Sequence, residues 1–365
     1  MKILMFVSNP FTHDARVYTE ATSLFKAGHE ITVIARNYYK ENPSEDTQDG
    51  IKIIRLASIM KPQNISGKIL GTRSSLLFWQ WRAYRKAISL YKEYPYDIVH
   101  CHDLDTLAIG AKLKHKYKLN LVYDAHEIYG YMAARVIPRF AANIFLWLER
   151  WLIKTVDHLV TSDDRQSRYF RMITNKPLTI IMNCKSLESY EYRAPSNENT
   201  FTILYIGSLH KGRAIIMLID VVQELPDVKC IIGGIGAPAY VRSLTEKCEP
   251  IPNIDFIGKV PFDKVIPMTM NSDSVFMMVD PEDLNNRDSL ANKQFEAMVC
   301  GRPIICTEGT YSGELTEQER VGISVAYDKE ALKQAILSFK NDQKLREELG
   351  RNALQAAINK YNWEK

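Results

Sequence analysis

Asp288 and Glu296 lie eight residues apart, with Asn292-Lys293 between them where a helical pattern begins. Carboxylates brought together accept the hydrogens of neighbouring hydroxyls on a ribose or another sugar diol. A helix N-terminus beside them offers N–H donors to a phosphate. The same two acids also fit a solvated helix residue and a loop acid. A second cluster, Gly207-Ser208-Leu209-His210-Lys211-Gly212-Arg213, follows an apolar run and opens a helix. Its backbone amides, with Lys211 and Arg213, have the chemistry of a diphosphate clamp. The GxGxxG dinucleotide fingerprint is not matched, and a tight turn with solvated cations has the same composition. Gly233-Gly234-Ile235-Gly236 and Phe256-Ile257-Gly258-Lys259-Val260 fit either a backbone pressed against a nucleotide or an ordinary corner.

The first half holds histidines and acids at strand ends: His100, His102, Asp103 and Asp105, then His126 and Glu127. These are metal-ligating types, but Glu127 is adjacent to His126 rather than one turn away, and HxH on a strand end is a weak zinc pattern. No metal is expected. A histidine at a strand end can instead donate to a sugar hydroxyl or to a departing oxygen, while His100 reads as a packed strand-end residue. Asn9, His13, Asp14 and Arg16 form the first strand-to-helix loop. Asp14 fits an N-cap, and Arg16 fits either local pairing or the lining of an acceptor cleft.

Two stretches mix cations with aromatics. Lys68, Arg73, Arg82, Arg85, Lys86 and Lys92 alternate with Leu76, Leu77, Phe78, Trp79, Trp81 and Tyr84. Arg135 and Arg139 precede a helix carrying Trp147 and Trp151. Such helices either lie on an anionic membrane surface or bury their aromatics and leave their cations wet.

The elements that must position these residues alternate between strand and helix. In the first half strands are read at Ile3–Val7, Glu30–Ala35, Ile51–Leu56, Ile98–Val99, Leu121–Tyr123, His158–Thr161 and Ile180–Met182. Helices are read at Ala15–Lys26, closed by Gly28, then Ser75–Tyr91, Leu104–Tyr117, Phe140–Leu152 and Asp164–Phe170, with a polar loop over Tyr38–Asp49. The second half restarts with strands at Thr202–Ile206, Lys229–Ile232, Asp255–Ile257, Ser274–Val279, Ile304–Cys306 and Ile323–Val325. Its helices are Ala214–Gln223, Phe262–Met270 and Lys293–Cys300, and Lys329–Tyr361 is mostly helical. This pattern predicts two α/β domains with parallel sheets, residues 1–184 and 201–350, a linker over 185–200 and a C-terminal helical region over 351–365. Ligands of such sheets sit at the carboxyl ends of the strands, so the site is expected between the domains.

Composition narrows the class. The 365 residues are 46% hydrophobic and 25% charged, with a net charge of +4, too modest for nucleic acid as the main partner. No pair among the six cysteines has CxxC spacing. The first residues, KILMFVSNP, read as a strand rather than a secretory leader. No apolar run approaches the roughly 20 residues of a membrane span, and a cytoplasmic protein is expected.

The run Asn292-Lys293-Gln294-Phe295-Glu296-Ala297-Met298-Val299-Cys300-Gly301-Arg302-Pro303-Ile304-Ile305 resembles the donor motif of the retaining glycosyltransferases of group 1 (family 4), which have the GT-B fold: two Rossmann-like domains facing each other across a cleft. The resemblance, to capsule and lipopolysaccharide transferases among others, runs nearly end to end. Supporting segments are Phe11–Val17, Ala27–Val33, Tyr123-Asp124-Ala125-His126-Glu127, Met182-Asn183-Cys184, Tyr205–Leu209 and Trp363. It implies transfer of a sugar from a UDP- or GDP-linked donor, with retention, to a hydroxyl of a glycan or lipid-linked acceptor. No tightly bound cofactor is implied; peripheral contact with an anionic membrane is an expectation from the basic-aromatic helices. Glu296 would hold the donor ribose, with Asp288 standing where the family usually has Glu. Gly207, Ser208, Arg213, Gly234, Gly258, Asn292 and Lys293 would line the donor site. His126 would reach the transferring sugar, and Arg213 and Lys211 would offset the charge of the departing diphosphate. Ser208 replaces a common Arg, and Arg213 stands where a Lys is usual. An epimerase or a non-catalytic assembly subunit of the same fold is the alternative.

Overall fold

Lys2–Val7 is apolar at nearly every position after the first, and all but that first residue are buried. A strand covered on both faces reads this way, as a continuous run rather than an alternation. In the computed structural model it is the centre of a large sheet. The structure describes residues 1–12, 14–37, 42–58, 68–134, 137–187, 191–195 and 200–365, with only the backbone described over 68–74. His13 and Arg135 therefore lie outside the described residues, as do the side chains of Lys68 and Arg73.

The chain divides into two units, Met1–Ile181 and Met182–Lys365. The first unit has β1 (Lys2–Val7), β2 (Glu30–Asn37), β3 (Glu45–Gln48), β4 (Ile51–Ala57), β5 (Ile98–His102), β6 (Asn120–Ala125), β7 (His158–Thr161) and β8 (Leu178–Ile180). Their order in the sheet is β3-β4-β2-β1-β5-β6-β7-β8. All pairs are parallel except β3 with β4. The second unit has β9 (Phe201–Leu209), β10 (Val228–Gly236), β11 (Ile254–Gly258), β12 (Ser274–Phe276), β13 (Ile304–Thr307) and β14 (Gly322–Val325), in the order β11-β10-β9-β12-β13-β14 and parallel throughout. Each sheet has a core on both faces.

Each order also reverses direction at one place. The chain leaves β1 for β2 on one side and later returns to β5 on the other. It leaves β9 for β10 on one side and returns to β12 on the other. Loops part at such a switch point and open a crevice at the carboxyl ends of the strands. Both clusters of chemistry-bearing residues lie at these two places.

Local signals account for most boundaries. The Asp14 carboxylate accepts from Val17 N and caps the Ala15–Lys26 helix, and Gly28 takes φ +84° just beyond its end. The polar stretch read as a loop over Tyr38–Asp49 instead contains β3, fully exposed and antiparallel to β4. Asp49 and Gly50 both have positive φ, the geometry of a two-residue hairpin turn, for which Asp-Gly is a favoured pair. The helix read from Ser75 begins at Lys68. A helix at Pro238–Cys248 lies where none was read from the sequence. The C-terminal helical stretch is two helices, Lys329–Asn341 and Gln343–Asn359, parted at Asp342, whose carboxylate caps the second. Among the described residues no helix is long and apolar enough to cross a membrane.

Candidate functional site

The second unit gathers its candidate residues at the β9/β12 switch point. The strand β9 ends at Gly207-Ser208-Leu209, and the Tyr205 hydroxyl donates to the Ser208 carbonyl at 2.6 Å. Gly234 pairs in register with Gly207 on the neighbouring strand. It has φ +147°, and a Cβ there would lie 1.7 Å from the Gly207 carbonyl oxygen, so no side chain fits. Lys211-Gly212-Arg213 form a single 3-10 turn, and Ala214 at φ 49° redirects the chain into the Ile215–Val222 helix. Lys211 is exposed and Arg213 half-buried, its Nε 3.1 Å from His210 Nε2. The Gly212 carbonyl accepts from the Asp280 amide and from Asn286 Nδ2, tying this turn to the segment after β12.

Lys293 is the unusual member. The helix Asn292–Val299 is buried from its second residue onward, because both of its faces carry core or site residues. Lys293 Nζ is buried with no hydrogen-bond partner. It lies 3.6 Å from the centre of the Tyr205 ring, and a Cβ added at Gly207 would be 3.3 Å from it. Burial, reinforced by the Arg213 charge and opposed by Glu296, pushes its pKa well below the usual range for lysine. One turn on, Glu296 is buried and its Oε1 lies 3.3 Å from Lys185 Nζ. Asn292 is exposed at the start of the helix. Gly258 ends β11 with φ +66° and open space on its Cβ side. Asp288 ends the short Leu284–Arg287 helix, and the Arg287 guanidinium holds its carboxylate at 2.9 and 3.2 Å.

The first unit concentrates charge at the carboxyl ends of β1, β5 and β6. Arg16 donates to both carboxylate oxygens of Asp124, at 2.8 and 3.1 Å, and to the Ile181 carbonyl at 2.6 Å. It also pairs with Glu20 at 3.1 Å. His102 Nδ1 and His126 Nε2 lie 3.0 and 2.9 Å from Asp124 Oδ2. The His126 amide donates to Asp103 Oδ1 at 3.2 Å, and its Nδ1 lies 3.5 Å from Asp103 Oδ2. Burial lowers the His126 pKa, but the Asp103 and Asp124 charges and the Asp124 hydrogen bond outweigh it and hold it at about 10. Burial raises the Asp124 pKa, and Arg16 with the two histidines overcomes that and keeps it well below the usual carboxylate range. Burial, helped by the Asp124 charge, lifts Glu20 to about 8, and burial lifts Asp103 to about 7. Near neutral pH the centre is thus an Arg16–Asp124–His126 triad with an imidazolium at one end. Burial depresses His100 and His102, which stay neutral.

Glu20, His100, His102 and Asp124 have ligand-type atoms within 4.8 Å of one another. They fit a cation in residue type, yet Arg16 already engages both carboxylates. Glu127, read beside His126, falls outside this group, and Asp105 instead accepts from Ser8 Oγ at 2.6 Å.

Two family models divide the chain between them: Glycosyltransferase Family 4 matches residues 15–185, and Glycosyl transferases group 1 matches residues 189–356. The chain belongs to the family 4 glycosyltransferases. The transferase is accordingly a nucleotide-sugar-dependent enzyme. It is 22% identical over 364 residues to an uncharacterized glycosyltransferase of Methanocaldococcus jannaschii, covering 94% of this chain and 89% of that one. Its fold is similar to that of a sucrose-phosphate synthase from Thermosynechococcus elongatus, at a TM-score of 0.82 and 16% identity over 100% of this chain and 96% of that chain. It is also similar to Anabaena HepE in complex with UDP and glucose, at a TM-score of 0.73 and 16% identity over 99% and 96%. These likenesses show the GT-B fold for the transferase.

Three residues in these two clusters carried no role in the sequence reading. Asp124 is the hub of the first-unit network; His126 lies two residues on, but its other partners lie 22 and 108 residues away. Tyr205 turns the face of its ring to Lys293 Nζ, 3.6 Å from its centre, and its place in an apolar strand gives no hint of this. Lys185 stood at the start of the stretch read as linker, whereas it pairs with Asn362 in a strand-like bridge and with Glu296. Its position two residues after Asn183, in a segment already matched to the family's hinge, is the signal that marks it.

Proposed function

We propose that this glycosyltransferase moves a sugar from a uridine or guanosine diphosphate sugar to a hydroxyl of a glycan or glycolipid on the cytoplasmic side, with retention at the anomeric carbon. The observation that carries the reading is Lys293: a buried amine without a hydrogen-bond partner, against Gly207 at the carboxyl end of β9. Burying such a group is costly unless an anion completes it. The diphosphate of the donor supplies that charge, with backbone approach allowed by Gly207 and Gly234 and further cations from Arg213 and Lys211. Together they offset the negative charge that grows on the departing diphosphate, stabilising the transition state more than the ground state. Glu296, oriented by Lys185, accepts from the ribose hydroxyls. Asp288, Ser208, Asn292 and Gly258 belong to the periphery of the same site. In the first unit the His126 imidazolium is anchored through Nε2 on Asp124, and its Nδ1–H, 3.5 Å from Asp103, is the donor offered to a sugar hydroxyl.

A nucleotide-sugar panel screened by thermal shift, followed by product analysis with the best donor, tests the reading. Transfer to an added hydroxyl acceptor with the anomeric configuration kept is the expected result. Interconversion of the donor sugar with no acceptor consumed identifies an epimerase instead. Calorimetric binding of the nucleoside diphosphate should weaken in Lys293→Met and Glu296→Ala, and unchanged binding in both would remove the site.

A further inference from the structure

Both clusters of chemistry-bearing residues sit at the carboxyl ends of strands. The first unit also has a cavity at the opposite, amino ends of β1, β2 and β4. Its volume is about 360 Å³, within the roughly 300–1,000 Å³ range of small-molecule sites. Strand alternation and register build its floor. Leu4, Ile34 and Ile54 share one core with Trp79 and Ala83 of the Lys68–Glu93 helix. Lys2, Glu30, Thr32 and Lys52 stand an even number of residues before them on the same strands, so they face the same side. Lys2 is in register with Glu30, Leu4 with Thr32, and Thr32 with Lys52. The result is a polar patch continuous across three strands. The helix ends over it, and Leu90, Glu93 and Tyr94 form the wall. Phe25 lines the cavity from the end of the Ala15–Lys26 helix and is seated against Gly50, where a side chain would collide with its ring.

Opposite charges stand side by side here without pairing. Lys2 Nζ lies 3.9 Å from the centre of the Tyr94 ring rather than on Glu30. The side chains of Glu30, Lys52 and Glu93 make no hydrogen bond or ion pair among the described residues. Lys2 and Lys52 balance Glu30 and Glu93, so the lining carries no net charge. That balance favours neither an anionic ligand such as a phosphate nor an ammonium. The polar floor disfavours an apolar one. A neutral ligand rich in hydroxyls suits both features. Carboxylates accept the hydrogens of neighbouring hydroxyls, while ammonium groups and the Thr32 hydroxyl donate to sugar oxygens. The Tyr94 and Phe25 rings, 64% and 40% exposed, offer apolar faces to the C–H side of a sugar ring.

We infer that this cavity is a second carbohydrate subsite, which holds neutral sugar residues of a glycan chain at the end of the first sheet away from the Arg16–Asp124–His126 triad. The subsite goes beyond the donor and acceptor chemistry proposed above and uses none of the residues assigned to it.

Binding of the full chain to an array of immobilised glycans, with UDP and GDP in excess, tests it. The array carries neutral, phosphorylated, sulfated and amino-bearing glycans. The chain should be retained on neutral glycans, and its affinity should fall about tenfold or more in E30A/E93A, which removes two charged acceptors. Tyr94→Ala, which removes the exposed ring, should weaken the same signals. All three altered residues are exposed, and unchanged melting will show that the variants are folded. Glucose, galactose and mannose, added at the same concentration of sugar units, should compete at least about tenfold less well than the retained glycan in solution. Equal competition overturns the glycan assignment in favour of a free sugar. Retention on no glycan, retention on charged glycans alone, or equal retention of wild type and both variants overturns the subsite. Glycan retention without nucleoside diphosphate binding defeats the donor reading alone, and nucleoside diphosphate binding without glycan retention defeats the subsite alone.

Discussion

The two units handle buried charge in opposite ways. At the β1/β5 switch point the Arg16, Asp124, His126 and Asp103 charges are paired with one another at distances between 2.8 and 3.5 Å, and the nitrogens left without a hydrogen bond, His100 Nε2 and His102 Nε2, belong to neutral rings. At the β9/β12 switch point Lys293 is buried with nothing bonded to it. The first arrangement holds a geometry and a protonation state fixed. The second leaves one interaction open, the one the proposed donor diphosphate would fill. The fold creates the same crevice twice, and the difference lies in whether the chain itself supplies both signs of charge.

The comparison is most exposed to breaking at Asp124. Replacing it by Asn leaves the buried Arg16 and His126 cations without their shared counter-ion, and the expected loss of unfolding free energy is about 3–5 kcal/mol, read by urea denaturation. A loss under about 1 kcal/mol would show that the network is not self-compensating.

Next in size is Lys293→Met, which should do the reverse. Nucleoside diphosphate binding should weaken by about 2–5 kcal/mol, measured by calorimetry, while the ligand-free protein keeps or gains stability because a poorly solvated amine has been removed. The amine's depressed pKa adds a signature. Binding of an anion raises it, so the complex takes up a proton and affinity falls as pH rises. If Lys293→Met destabilises the free protein as much as Asp124→Asn, the contrast between the units disappears.

The pH dependence of stability sharpens the first half of the comparison. His126 keeps its proton to about 10 when folded, against 6.5 ordinarily. The folded state therefore binds more protons between those values, and the stability this gives is complete below about pH 6.5 and lost as pH rises through about 10. Glu20, raised from 4.5 to about 8, acts with the same sign in a lower window. Urea midpoints should fall steadily across this alkaline range in the wild type and fall less in His126→Gln. A midpoint that climbs with pH contradicts the assignment.

How much of this was legible in the sequence follows from the range of each interaction. The parallel sheets follow from apolar runs such as Ile3–Val7, and the first helix from Asp14 and Gly28, all signals carried within a few residues. Glu296 and Lys293 stood out because their neighbours on one helix form a recognisable run. The β3 hairpin had a local signal too, Asp49-Gly50, but β3 is an all-polar edge strand without apolar alternation to announce it. In the Arg16–Asp124–His126 triad the last two residues stand together in the recognised Tyr123–Glu127 segment, but Arg16 lies 108 residues from Asp124 and joins them only when β1 and β6 take their places in one sheet. The aromatic helices were ambiguous for another reason. Residues 79 and 81 are both tryptophan, and only helix packing decides that one is core and the other faces outward.

The smallest effect belongs to Arg287. Its guanidinium holds the Asp288 carboxylate at 2.9 Å, but the two side chains are 41% and 25% exposed, so water screens the pair. Arg287→Ala should change the unfolding free energy by less than about 1 kcal/mol. It should also change donor affinity less than Glu296→Gln does, because Glu296 is buried and Asp288 is not. This variant asks whether the second unit's other charges are surface pairs of little weight, as the comparison requires. A stability cost near that of Asp124→Asn would mean that the second unit, too, depends on an internal ion pair, and that Lys293 alone does not define its character. A donor affinity that falls with Arg287→Ala as far as with Glu296→Gln would move Asp288 from the periphery of the site to its centre, beside Glu296.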